Sequence, residues 1–196
     1  MKGILLIINL FLWISGISEV TATDIVFNPV DFGHRKTTSR TIDVVVIHST
    51  YNPREDGKYN KEKIISQFRR YGVAAHYLID RTGNIYQLVA EQHVAYHAGK
   101  SRLPDGSSNL NSRSIGIELM NDTIDKPTDK QYEALINLTE VLCKRYPVKF
   151  VVRHSDIAPG RKTDPWNTDW DLVLKKLAER NLEFGGGGQK PCKYKQ

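Results

Sequence analysis

Cysteine is scarce in this sequence: Cys143 and Cys192 are the two among 196 residues. One disulfide is open to them in an oxidising compartment, but a framework of bridges is not. Cys143 falls within a helical pattern and reads as a small buried hydrophobe. Internal repeats are lacking, and so is any basic stripe interleaved with aromatic residues, which removes the usual footprint of a nucleic-acid-binding protein. Charge of one sign dominates only weakly. Lys and Arg number 28 against 22 for Asp and Glu, a net +6, which favours anionic partners or surfaces without demanding them. With 40% apolar and 26% charged residues, the composition belongs to neither a disordered nor a fibrous chain. The length is enough to bury a proper core and short enough that one domain is expected.

What is present begins with an amino-terminal apolar stretch. Lys2 precedes an almost uncharged, Ile- and Leu-rich run from Gly3 to Ser18. The run is too short for a comfortable membrane span but has the charged start, apolar middle and small-residue exit of a secretory signal. We therefore expect residues 1–22 to be a signal peptide, with cleavage near Ser18 or Ala22, and an uncleaved anchor as the alternative. The product would be an exported protein, periplasmic or secreted, without a stable membrane span after cleavage. Loss of Lys2 and Glu19 leaves the net charge unchanged.

Residues 23–41 show no clear period and read as an irregular lead-in, with His34 a solvated loop histidine. Asp43 to Ile47 (DVVVI) is short, β-branched and apolar on both faces, the pattern of a central strand covered on both sides. It ends at His48. Asn60 can cap a helix whose apolar face is Ile64, Ile65, Phe68 and Tyr71, stopped by Gly72. Ala74 to Ile79 and Asn84 to Val89 read as a hairpin around Arg81, Thr82 and Gly83. Pro104 to Asn111 reads as loop. In Ser114 to Met120 (SIGIELM), Ile115, Ile117 and Leu119 face one way and Gly116, Glu118 and Met120 the other.

Thr128 and Gln131 form a capping-box signature for a helix reaching Tyr146, with Tyr132, Leu135, Thr139, Leu142 and Tyr146 along one side. Val148 to Val152 is the next strand and delivers His154. A last helix starts near Thr168 and buries Trp170, Val173, Leu174 and Leu177. From Gly185 four glycines lead into a lysine-bearing end, so residues 183–196 read as a flexible basic tail. Strands alternating with helices predict an α/β fold: a single domain, residues 42–182, with a central mixed β-sheet flanked by helices.

Chemistry concentrates in RHSDIAPGRKTDPW, Arg153 to Trp166. Pro159 and Gly160 fold this loop, which offers His154 and Asp164 as metal ligands and Lys162 as a cation. Neutral imidazole and carboxylate are good Zn²⁺ ligands, and a catalytic zinc needs three protein ligands plus an open position. His48, at the end of its own buried strand, supplies the third if the two strands are neighbours. Glu118 sits opposite the plainest core face, beside a glycine that leaves space. It is either a solvated strand carboxylate or one facing a cleft. The alternative for the loop itself is a solvated surface segment.

VVVIHST, AAHYLIDRTGNIYQL, YHAG, NSRSIGIELMN and RHSDIAPGRKTDPW resemble, in order, the motifs of zinc-dependent N-acetylmuramoyl-L-alanine amidases of the AmpD type. That superfamily also holds peptidoglycan recognition proteins and phage amidases. The resemblance covers Ile42 to about Leu177. It implies His48, His154 and Asp164 as zinc ligands, Glu118 as the catalytic carboxylate and Lys162 as its cationic partner. It further implies a substrate cleft bearing Tyr96, His97 and Ala98, with Asn111 and Arg113 placed for polar contacts to the glycan or lactyl group. The substrate implied is peptidoglycan or a muropeptide, cut at the amide between the lactyl group and L-alanine. A non-catalytic peptidoglycan-binding protein on the same fold is the alternative, and a zinc peptidase on this scaffold is more distant. Asp164 and Ala75 stand where recognition proteins and phage enzymes commonly carry Cys and Tyr, so the chain is similar to the AmpD side. His76 reads as a structural histidine or one that supports a ligand, with a direct metal ligand as the alternative, and His93 reads as a surface residue.

Overall fold

A computed structural model describes residues 25–54, 57–180, 182–183 and 193–194. The expected signal segment 1–22 and most of the 183–196 tail lie outside the described residues. A six-stranded sheet forms the centre. Its strands are β1 (Ile25–Phe27), β3 (Val44–Thr50), β4 (Tyr77–Ile79), β5 (Ile85–Gln87), β7 (Ser114–Met120) and β8 (Phe150–Arg153), in the order β1-β5-β4-β7-β3-β8. Only the β4–β5 hairpin is antiparallel; β1–β5, β4–β7, β7–β3 and β3–β8 are parallel. The sheet is therefore mixed, as the alternation of strands and helices predicts.

Burial of β3 on both faces explains its sequence. Val45 and Ile47 join Ile115, Ile117 and Leu119 of β7 in a core covered by α3 (Asp129–Arg145) and α5 (Trp170–Glu179). Val44 and Val46 face the other way, onto Ala98, Leu103, Leu110, Val152 and Ile157. Farther along that second face, Ile64 and Phe68 of α1 (Lys61–Tyr71) pack on Ala74, Leu78 and Met120. The helix α1 begins where Asn60 Oδ1 accepts from Lys63 N–H and ends at Gly72, whose φ of 63° is the left-handed cap that glycine favours.

Several expectations need correction. The lead-in is not wholly irregular: Ile25–Phe27 adds an edge strand to the sheet. His34–Arg35 (β2) pairs antiparallel with Val94–Ala95 (β6). His34 and His93 are half-buried and stack with ring centroids 5.8 Å apart, so neither is a solvated surface histidine. His48 lies inside β3 rather than beyond it, because pairing with β7 continues to Thr50. Leu110–Arg113 (α2) turns the end of the expected loop into a short helix. Tyr71 is 69% exposed, since it ends α1 past the point where that helix still faces the sheet. Cys143, Trp170 and Leu174 are half-buried rather than buried. In the tail, Lys193–Tyr194 (β10) pairs antiparallel with Leu182–Glu183 (β9), so this part of the tail carries regular pairing. Among the described residues no helix is long and apolar enough to cross a membrane.

The capping box at Thr128 extends beyond its helix. Gln131 Oε1 accepts from Thr128 N–H, while its Nε2 donates to the carbonyls of Ile79 and Met120, at 3.2 Å each. This fully buried amide ties the start of α3 to the ends of β4 and β7. Replacing Gln131 by Leu removes those donors inside the core. We predict a loss of about 1–3 kcal/mol, read as a lower urea midpoint.

Candidate metal centre

Side-chain alternation decides which groups meet. His48 and Glu118 are paired positions on neighbouring strands β3 and β7, so their side chains leave the sheet on the same face. On the opposite side of β3, β8 runs parallel with Ile47 beside Arg153, and His154 follows one residue later as the chain turns into α4 (His154–Ile157). The strands carrying His48 and His154 are thus neighbours.

Asp164 completes the group from the following loop. Its backbone carbonyl accepts from Ser155 N–H at 2.8 Å, and the Asp164–Pro165 peptide is cis. Asn121, at the end of β7, accepts from Ser49 Oγ at 2.6 Å and donates through Nδ2 to the Trp166 carbonyl at 2.6 Å. Lys162 N–H bonds to Ala158 O, and Arg161 donates to the carbonyls of Ala98 and Lys100. These bonds hold the loop against the sheet edge.

His48 Nδ1 and His154 Nδ1 lie 2.9 Å apart, and Asp164 Oδ2 lies 3.0 Å from the latter and 3.4 Å from the former. All three residues are buried. The far nitrogens are engaged elsewhere: His154 Nε2 lies 3.3 Å from the Ala98 carbonyl and His48 Nε2 lies 2.9 Å from His97 Nδ1. Since a carbonyl only accepts, neutral His154 carries its proton on Nε2 and turns the Nδ1 lone pair inward. Crowding lone pairs and a carboxylate into one buried volume is unfavourable unless a cation joins them. The donor set therefore fits a metal ion.

Electrostatics agree with this arrangement. Burial pushes the His48 imidazole down to about 4, against the upward pull of Asp164, so it is neutral at pH 7. Burial drives the Glu118 carboxyl well above its usual value, the Asp164 charge adds to this, and Lys162 opposes it. Glu118 Oε2 is buried and has no hydrogen-bond partner among the described residues, which few native polar atoms tolerate.

A cleft of about 500 Å³ opens over these groups. His48, Glu118, His154, Lys162 and Asp164 all line it, with Tyr71, Tyr96 and Trp166 among its other walls. His97 also reaches it, although both ring nitrogens are engaged, Nε2 lying 3.1 Å from Ser114 Oγ. Of the other residues expected to contact substrate, Ala98 is fully buried beneath the cleft. Asn111 Oδ1 accepts the backbone N–H groups of His97 and Ala98, at 3.1 and 2.8 Å. Arg113 makes a two-point ion pair with the buried Asp43 at the opposite end of β3. Ala98, Asn111 and Arg113 do not line the cleft. A lone Asn or Arg in a sequence carries no sign of which way it points.

His76 is fully buried and structural: Nδ1 accepts from Gly116 N–H at 3.0 Å, and Nε2 lies 3.1 Å from His93 O and 2.8 Å from Arg40 Nη2. Burial, reinforced by the Arg40 guanidinium, pushes its pKa down to about 3. Nothing in the sequence singles out Ser114, Asn121 or Arg161, although Ser114 begins SIGIELM, Asn121 follows it and Arg161 stands beside Lys162.

An α/β domain whose parallel strands and the loop after β8 bring a His–His–Asp donor set beside a carboxylate with one buried oxygen defines a class of metal-binding sites. The comparisons name the family. A model for N-acetylmuramoyl-L-alanine amidase matches residues 38–167, and the chain belongs to that family. The 1,6-anhydro-N-acetylmuramyl-L-alanine amidase AmpD of Haemophilus influenzae is 41% identical over 109 residues, 54% of this chain and 59% of that protein. The N-acetylmuramoyl-L-alanine amidase AmiD of Escherichia coli is 36% identical over 142 residues, 63% of this chain and 49% of that protein. The matches thus span less than two-thirds of these relatives' length. Among solved structures, a selenomethionine AmpD superposes with a TM-score of 0.66 at 28% identity, covering 82% of this chain and 98% of that one. E. coli AmiD in complex with the substrate anhydro-N-acetylmuramic acid-L-Ala-D-γ-Glu-L-Lys gives 0.60 at 32% identity, covering 72% and 60%.

Gly116 has no room for a side chain. A Cβ there would stand 2.5 Å from His97 Cγ. Gly116→Ala must therefore displace the His97 ring, and we predict a loss of about 1–3 kcal/mol in urea unfolding, with an unchanged midpoint as the contrary result.

Proposed function

We propose that this protein is a zinc-dependent amidase that hydrolyses the bond between the lactyl group of N-acetylmuramic acid and L-alanine of peptidoglycan stem peptides or muropeptides. One observation carries the reading: three buried ligand residues converge beside Glu118, whose Oε2 has no partner among the described residues. Family membership supports the bond type, and the AmiD complex supports the substrate class. Export to the periplasm or beyond is part of the proposal, resting on Lys2 and the apolar run that follows it.

His48, His154 and Asp164 would hold the zinc. Zinc, when bound, supplies the Lewis acidity that polarises the scissile carbonyl and makes water acidic enough to attack at neutral pH. Glu118, on the same face of the sheet as His48, takes the proton of the attacking water through a carboxylate oxygen and returns it to the leaving amine nitrogen. An amine expelled without that proton is too basic to leave. Lys162 offers an ammonium toward the oxyanion that develops on the carbonyl. Tyr71, Tyr96 and Trp166 supply aromatic surface at the walls of the cleft, suited to the apolar faces of a sugar ring.

Mass spectrometry of muropeptides before and after digestion tests the activity. Free stem peptides beginning with L-Ala are expected; unchanged muropeptides would instead assign a peptidoglycan-binding role. Chelation should abolish turnover and added zinc restore it. We predict that His48→Ala and Asp164→Asn lose both zinc and activity. Glu118→Gln should keep stoichiometric zinc while kcat falls by about 10²–10⁴-fold. Metal analysis beside the activity assay separates these cases, and full turnover in zinc-free protein would overturn the mechanism.

A further inference from the structure

A chain of hydrogen bonds behind His48 has a direction that can be read from its far end. The Leu110 carbonyl can only accept, so Ser114 Oγ, 2.5 Å away, donates to it. With its proton so used, Ser114 Oγ accepts from His97 Nε2–H at 3.1 Å. Neutral His97 then has a lone pair on Nδ1, which accepts from His48 Nε2–H at 2.9 Å. His48 is left with an unprotonated Nδ1, the atom that faces His154 and Asp164. Reversing the chain would take the Ser114 proton off Leu110 and place a proton on His48 Nδ1, where it blocks a metal.

We propose that His97 and Ser114 are positioning residues that fix the tautomer and ring plane of His48 for metal binding, rather than contacts to the substrate. The inference rests on the zinc reading of the site. Three features of the fold serve the same end. Gly116 leaves the strand bare where the His97 ring lies against it, since a Cβ would stand 2.5 Å from the ring. Asn111 Oδ1 clamps the backbone N–H groups of His97 and Ala98. The Ala98 carbonyl in turn lies 3.3 Å from His154 Nε2. Two consecutive residues of YHAG thus orient two different ligands, one through a side chain and one through a backbone oxygen. Outer partners of metal-bound histidines act in this way by setting the tautomer and basicity of the ligand.

The test uses the full chain and reads two quantities that need no substrate. In zinc-free wild type at pH 7.5, about one unit above the ordinary imidazole pKa, ¹⁵N imidazole spectra should show His48 protonated on Nε2 and bare on Nδ1. Zinc affinity, measured by competition with a chromophoric chelator, should fall by about 10–100-fold in His97→Ala. Ser114→Ala should weaken zinc in the same direction and move part of the His48 population to the Nδ1–H tautomer. His97→Asn should restore most of the affinity, because its side-chain carbonyl stands near the position of Nδ1 and can accept from His48. A wild-type His48 protonated on Nδ1, or His97→Ala with unaltered zinc affinity, overturns the proposal. If the zinc and tautomer results hold but no stem peptide is released, the amidase reading fails while the positioning role stands.

Discussion

In-register parallel pairing of β3 with both β7 and β8 is the constraint on which the rest of the molecule depends. It sets His48 beside Glu118 on one flank and ends β8 at Arg153, next to Ile47, on the other. A slip of one residue in either pairing would send one side chain to the opposite face of the sheet. Slippage is resisted because Val45, Ile47, Ile115, Ile117 and Leu119 are all buried against α3 and α5. A shift would carry these apolar groups toward the cleft and His48 or Glu118 into the helical layer. The core on one face therefore fixes the chemistry on the other.

This division explains what could be read from the chain. The alternation in SIGIELM assigns Glu118 to the face away from the core, and the β-branched run before His48 marks a central strand. Both are local signals, and the structure has both features. The loop from Arg153 to Trp166 was legible as a source of ligands because His, Lys and Asp stand around a Pro–Gly break. Its path was not legible, since it depends on long-range bonds such as Asn121 to the Trp166 carbonyl and Arg161 to the Ala98 carbonyl. That Asn111 and Arg113 do not line the cleft was hidden for the same reason. Their partners, the backbone of His97 and Ala98 and the carboxylate of Asp43, are remote in sequence, so no pattern near Asn111 or Arg113 announces them. The short strand β1 has too few residues for a period to show.

Two glutamates show how the fold separates support from function. Glu91 receives the hydroxyls of Tyr77 and Tyr146 and both its oxygens take Arg145 Nη1 at 2.7 Å, while its backbone carbonyl accepts from Arg40. Its desolvation is offset within the protein, and the result is a rigid knot joining α3 to the sheet and the lead-in. Glu118 has an oxygen equally cut off from solvent and no donor at all. A carboxylate so left is unfavourable by itself and persists only where the surrounding packing over-determines it. The same contrast separates the histidines. Both nitrogens of His76 are met by supporting groups, Gly116 N–H on one side and the His93 carbonyl and Arg40 guanidinium on the other, whereas His48 and His154 each keep one nitrogen directed at Asp164 and at each other. Among the described residues, the groups whose hydrogen-bonding capacity is left open line one cleft, where an added cation or substrate could meet them together.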